Sequence, residues 1–142
     1  MDAIYFKIKN LLTAVDGIKY VDFDFGQLEE DKPPVNFPCA LVNIAYTKCE
    51  DLFDQTQRVR CVITVKLGFN ISVEKTASIY NDAAIQQNLS YFNIVNAVYK
   101  SLQGYTDGNI EELSRSSLTQ PIYPPGLKVT IMPFETEFDE NA

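Results

Sequence analysis

The chain has 142 residues, of which 12 are basic and 19 acidic, for a formal net charge of -7. One domain is the expectation at that length, and roughly 68% of the unfolded surface can be buried, enough for a core without disulfide staples. The acidic balance argues against a general nucleic-acid binder, which needs a basic patch to release counterions from phosphates. The absence of histidine removes Ser-His-Asp and Cys-His catalysis, histidine-ligated zinc and histidine pH switches.

Asp2 to Val15 reads as an amphipathic helix, because Ile4, Ile8, Leu11, Leu12 and Val15 recur on one helical face. Asp2 favours its start through the helix dipole, and Gly17 is placed to stop it. Ile18 to Phe25 reads as a strand, with Val21, Phe23 and Phe25 on one face and Asp22 and Asp24 on the solvent face. Gly26 to Asn36, with two prolines and the acids Glu29, Glu30 and Asp31, is a loop. Phe37 to Thr47 is the second strand, and Lys48 to Gln57 the next loop. Arg58 to Phe69 is the clearest element: Val59, Cys61, Ile63, Val65, Leu67 and Phe69 alternate without a break against Arg58, Arg60, Val62, Thr64 and Lys66. Such a half-buried strand pairs antiparallel with its predecessor.

A second helix is expected within Thr76 to Leu102, firmest from Leu89, where Tyr91, Ile94, Val95, Val98 and Leu102 mark an apolar face and Gly104 a stop. Gly104 to Asn109 is turn chemistry. Leu113 to Thr119 reads as a short strand, broken by Pro121 to Gly126. Leu127 to Phe138 reads as a longer strand, with Pro133 at a bulge or an unpaired edge position, and Asp139 to Ala142 as a frayed tail. The order is α-β-β-β-α-β-β. The expected fold is α+β, a mainly antiparallel sheet with two helices packed on one face, in a single domain over residues 1–142.

Motifs for chemistry are sparse. The six glycines form neither a GxxxxGK[ST] nor a GxGxxG phosphate loop. Asp22, Asp24 and Gly26 resemble part of a calcium loop, but Phe25 and Lys32 stand where further ligands belong, so no metal or cofactor is expected. Cys39, Cys49 and Cys61 are odd in number and lack CxxC spacing, so neither a disulfide framework nor a zinc ribbon is suggested, and Cys39 and Cys61, inside apolar runs, read as reduced, buried thiols. Ser114, Ser116 and Ser117 have no histidine to activate them. Nineteen acids guarantee carboxylate pairs by chance, so a carboxylate-dependent hydrolase stays open as a second class. The first residues, MDAIYFKIKN, lack the pattern of a signal peptide, and about 18 consecutive apolar residues occur nowhere, so a soluble protein made in the cytoplasm is expected.

Two surface features invite contact. Arg58, Arg60 and Lys66 form a basic row, either a solvated face or a patch for acidic loops of a neighbouring subunit, namely Glu29 to Asp31 and Glu50 to Asp54. Leu52 and Phe53 lie among Glu50, Asp51 and Asp54, in a loop that either exposes Phe53 as a contact or folds back on the core.

The arrangement as a whole resembles the tail terminator (tail completion) proteins of long-tailed phages and prophages. The resemblance runs from VDGIKYV (Val15 to Val21) through FPCALVNI (Phe37 to Ile44), QTQRVRCVITVKL (Gln55 to Leu67) and SLQG (Ser101 to Gly104). LSRSS and the closing FETEFDENA (Phe134 to Ala142) complete it. The chain departs from the pattern in lacking tryptophan and in carrying Cys39 within the second strand. The resemblance implies a non-enzymatic virion protein, made in the host bacterial cytoplasm. It would form a ring, usually a hexamer, that caps the tail tube, ends its polymerisation and joins tail to head. Its partners would be other copies of itself, the tail tube protein and a neck or head-completion protein, with DNA passing through unread. A different neck or head-tail connector protein, and an intracellular binding module, are the other readings.

Overall fold

The computed structural model describes residues 1–70, 82–121, 123 and 126–142. In chain order they form α1 (Asp2–Thr13), β1 (Tyr20–Phe23), a short 3-10 turn (Gln27–Glu29), β2 (Cys39–Asp51), β3 (Thr56–Asn70), α2 (Asp82–Leu102), β4 (Ser114–Arg115) and β5 (Leu127–Asn141). The order is α-β-β-β-α-β-β, as the sequence patterns predict. Thr76 to Asn81 of the expected second helix, and part of the break at Pro121 to Gly126, lie outside the described residues. One five-stranded sheet runs β1-β2-β3-β5-β4. β1 is parallel to β2, and every other pairing is antiparallel.

β3 lies at the centre. Its alternation sends Val59, Cys61, Ile63, Val65, Leu67 and Phe69 to one face, where all are buried. β5 adds Met132, Phe134 and Phe138 to that face, and β2 adds Ala40 and Val42. The helices close this core with Ile4, Ile8 and Leu12 from α1 and Tyr91, Val95, Val98 and Leu102 from α2. The three-and-four spacing of these residues is what turns one stripe of each helix to the sheet. Gly17 ends the first helical segment at φ 95°, and an added Cβ there would meet Ile94 of α2 at 3.0 Å. A left-handed residue without a side chain lets the chain turn away from α1 while the helices stay in contact.

The opposite face has a smaller core of Leu28, Cys39, Leu41 and Val129. The loop after β1 reaches over the sheet to supply Leu28. Its hold is local: the Gln27 side chain donates to the Phe23 carbonyl and accepts from Phe25 N–H, and Asp24 Oδ1 accepts from Gly26 N–H. Asp24 therefore does not lie on a solvent face as expected. It is turned inward and pairs with Lys66. Cys39 and Cys61 are buried and unpaired, and burial pushes both thiols up to about 11.

Several boundaries differ from expectation. β1 is four residues long, so Phe25 lies beyond it and stands exposed. The loop expected over Lys48 to Gln57 is mostly strand, because β2 and β3 stay paired to Asp51↔Gln57. The strand expected at Leu113 to Thr119 is only Ser114–Arg115, with one further bridge from Thr119 to Ile131. The frayed tail expected from Asp139 is absent. β5 continues opposite β3 to Asn141↔Thr56, Thr56 Oγ1 donates to Asn141 Oδ1 at 2.6 Å, and Ala142 N–H donates to the Gln55 carbonyl. Pro133 sits at neither the bulge nor the edge position expected: it is in register with Thr64 inside β5, which lies between β3 and β4. Its carbonyl accepts from Ser116 N–H, so its ring nitrogen faces interrupted β4 and costs β3 no hydrogen bond.

Gly68 is the tightest point of the smaller core. A Cβ there would lie 2.9 Å from Cys39 Sγ and 3.0 Å from Leu28. Gly68→Ala should destabilise the protein by about 1–3 kcal/mol through overpacking, read from urea unfolding. Cys39→Ala in the same chain should recover part of that loss, making the pair less than additive.

Candidate assembly surfaces

Arg58, Arg60 and Lys66 lie on one face of β3, as expected, but each is paired within the chain. Arg58 and Arg60 share the sheet face away from the helices, near the hairpin end of β3. There Arg58 Nη2 donates to Glu137 at 3.2 Å, Arg58 Nη1 to Asp139 at 3.2 Å, and Arg60 Nε to Glu137 at 3.0 Å. Glu111 supplies a third carboxylate to Arg58. Its main chain is tied beside β5, because Glu111 N–H donates to the Glu137 carbonyl and Thr136 Oγ1 donates to the Glu111 carbonyl. Lys48 and Glu50 pair beside this cluster. Lys66 lies further along the strand, largely covered, with its Nζ 3.0 Å from Asp24. The cations expected to meet a neighbour's acids thus meet acids of their own chain. Glu29, Glu30 and Asp31 are exposed on the loop that carries Leu28.

This network shifts its members in predictable directions. Hydrogen bonding from Arg60, then from Arg58, holds the Glu137 carboxyl below the usual range. Lys48 does the same for Glu50. Asp139 foremost, with Glu137 and Glu111, raises the Arg58 guanidinium further.

The hairpin between β2 and β3 decides the second open question. Phe53 is 80% exposed and Leu52 48%, so the tip does not fold back on the core. Asp51 ends β2, and Asp54 and Gln55 sit at φ 55° and 60°. Thr56 N–H closes the turn on the Phe53 carbonyl, and Leu52 N–H donates to the Thr56 carbonyl. Two successive left-handed residues give the primed turn whose twist matches a two-stranded ribbon. The tip is therefore a stiff projection bearing an aromatic ring between two aspartates.

A second exposed apolar patch was not singled out in the sequence. Phe23 stacks on Tyr5 with ring centres 3.7 Å apart, and Phe6 and Phe25 stand beside them, 57% and 77% exposed. Together they line the β1 edge of the sheet. The one available signal was Phe6, an aromatic residue off the Ile4–Ile8–Leu12 stripe. Among the described residues, no group of three or more His, Cys, Asp or Glu is placed to hold a metal ion. Asp22, half of the calcium-like pattern, accepts from Tyr20 Oη and Phe23 N–H instead. No helix among those residues is long and apolar enough to cross a membrane.

No family model and no curated protein matches the chain. Among solved structures, the chain is similar to one described as the virion of a native gene transfer agent particle. The identity is 12% and the TM-score 0.48, with 94% of this chain and 84% of that one covered.

Two consequences can be measured. Because the folded Glu137 carboxyl titrates below its unfolded value of about 4.3, its stabilisation is complete above that value and is lost as pH falls through the folded one. Glu137→Gln should therefore lower the melting temperature at pH 7, and the gap from the unmodified chain should close as pH falls well below about 4. At the tip, Gln55→Gly should raise stability by about 0.5–1 kcal/mol in thermal unfolding, since glycine adopts positive φ without the steric cost.

Proposed function

We propose that this chain is a virion structural protein of a phage-like particle, a tail terminator. It assembles as a ring, a hexamer by the resemblance of its sequence, on the end of the tail tube. There it ends tube polymerisation and presents the surface that joins tail to head. The observation that carries this reading is the exposure of aromatic residues at separate places on one stiff sheet, Phe53 at the hairpin tip and Phe6, Phe23 and Phe25 at the β1 edge. Large exposed apolar groups mark contact surfaces. Two different patches on one subunit suit head-to-tail assembly, which closes into rings. Among the described residues, β1 and β4 are the outer strands of the sheet, which supports the same reading, because assembly is one way to cover a sheet edge. A net charge of -7 suits a ring through which DNA passes without being gripped.

The internal pairing of Arg58 and Arg60 changes where such contacts lie. Their charge is met by Glu111, Glu137 and Asp139, so they serve the subunit before they serve an interface. Asp51, whose Oδ1 accepts from Gln57 Nε2 at 2.8 Å, and Asp54 are both exposed at the tip and frame Phe53 with negative charge.

In particles assembled without this chain, tail tubes should overgrow and fail to accept heads. Purified protein added back should restore both length and joining, as scored by electron microscopy. Tubes of normal length that accept heads in its absence would remove this reading.

A further inference from the structure

The β2–β3 ribbon carries unlike shapes at its two ends. One end is the projecting tip, with Phe53 and Leu52 held out by the turn at Asp54 and Gln55. The other end, at the start of β2 and the finish of β3, borders a groove of about 480 Å³ that is open among the described residues. Val35, Phe37, Phe69, Tyr91 and Ile94 wall this groove, and Ser90 of α2 stands on its rim. Pairing runs unbroken in sheet order from Cys39↔Gly68 to Asp51↔Gln57, apart from one bulge near Thr47. At about 3.4 Å per residue, tip and groove are about 40 Å apart. The tip of one chain has no route to its own groove.

We propose that Phe53 of one copy seats in this groove of the next copy, as the repeating head-to-tail contact of the assembly. This deepens the ring reading and rests on it. The groove is of the size that takes a ring-sized ligand, and its walls set apolar and aromatic side chains beside the polar Asn36, Asn70 and Ser90. They are also fixed in advance. Tyr91 meets Phe69 edge-on at 4.5 Å, and its hydroxyl is held by Thr130 and by Gln120, whose Nε2 donates to it at 2.8 Å. An incoming ring finds an aromatic edge and face already positioned. Charge agrees with shape: the tip brings Asp51 and Asp54, while Lys128, beside the groove rather than in its lining, holds its ammonium 5.5 Å from the ring centre of the wall residue Tyr91. Knob and groove are different patches, so the contact propagates in one direction and closes wherever the rotation per subunit closes.

The chain contains no tryptophan, so Phe53→Trp introduces a single reporter at the tip. A trace of this variant is titrated with either of two partners in excess, from micromolar to millimolar. Phe53→Asp offers grooves but no knob, and Ser90→Phe offers a knob but a filled groove. Both changes are at exposed positions. The expected result is a blue shift of the tryptophan emission with the Phe53→Asp partner and at least tenfold weaker binding to the Ser90→Phe partner. Equal shifts with both partners, or no shift with either up to millimolar concentration, would overturn the proposal. The tube-length assay reports separately. A titration that behaves as expected, with tubes that end normally without the chain, sinks the cap and leaves the contact standing. Restored tube length with no shift sinks the contact alone.

Discussion

The unbroken alternation of β3, paired with β5 along its whole length and with β2 from Gln57 to Gly68, is the constraint on which the rest of the structure depends. β3 spans fifteen residues, and β5 matches it residue for residue from Thr56↔Asn141 to Asn70↔Leu127. A strand of that length extends about 50 Å, whereas a helix of twelve residues reaches only about 18 Å and one of twenty-one about 32 Å. Neither helix alone therefore covers the sheet from end to end. The uncovered remainder becomes a ribbon, and its hairpin tip is pushed into solvent by geometry alone. Exposure of Phe53 follows from strand length before any partner is considered.

The same alternation sorts the charges. Even-numbered positions of β3 put Arg58, Arg60 and Lys66 on the face without helices, and the register with β5 sets Asp139 opposite Arg58 and Glu137 opposite Arg60. Opposite charges directly across a ladder are favourable. Each such exposed pair is worth little alone, on the order of 0–1 kcal/mol, so the cluster's role is as much register as stability. A one-residue slip would break both pairs and turn Phe134 and Phe138 to water. Neutralising its cations internally also leaves the outward surface acidic.

What was legible in the sequence was what local pattern records. The β3 alternation, the α1 stripe and the stop at Gly17 could be read directly, since each needs only near neighbours in the chain. Partners far along the chain could not. Lys66 and Asp24 are forty-two positions apart in a sequence that offers many acids, and nothing local selects that pair. The parallel placement of β1 beside β2 is hidden for the same reason. The closing residues read as a frayed tail because chain ends are often loose, but the alternation of Phe134, Thr136 and Phe138 carries into them and keeps them paired with β3. Phe53 was ambiguous because an aromatic residue among acids fits both an exposed tip and a folded-back cap. Only the turn geometry distinguishes them.

That turn makes the tip more than a by-product of strand length. Left-handed backbone costs roughly 1–2 kcal/mol at a non-glycine residue, and two such residues occur in succession at Asp54 and Gln55. The surrounding ribbon holds them there: β2 and β3 pair up to the turn, and the chain's last residue ties back to the Gln55 carbonyl. A floppy loop would avoid the strain and would also lose Phe53 to many orientations, each of which must be abandoned on binding. Ordering an interface costs association energy for every side chain and loop that has to be fixed. A subunit that meets many copies of itself bears that cost at every contact, so strain held within the monomer is the cheaper arrangement. The stiffness of the hairpin and the fixed walls of the groove at its other end are thus two forms of the same economy.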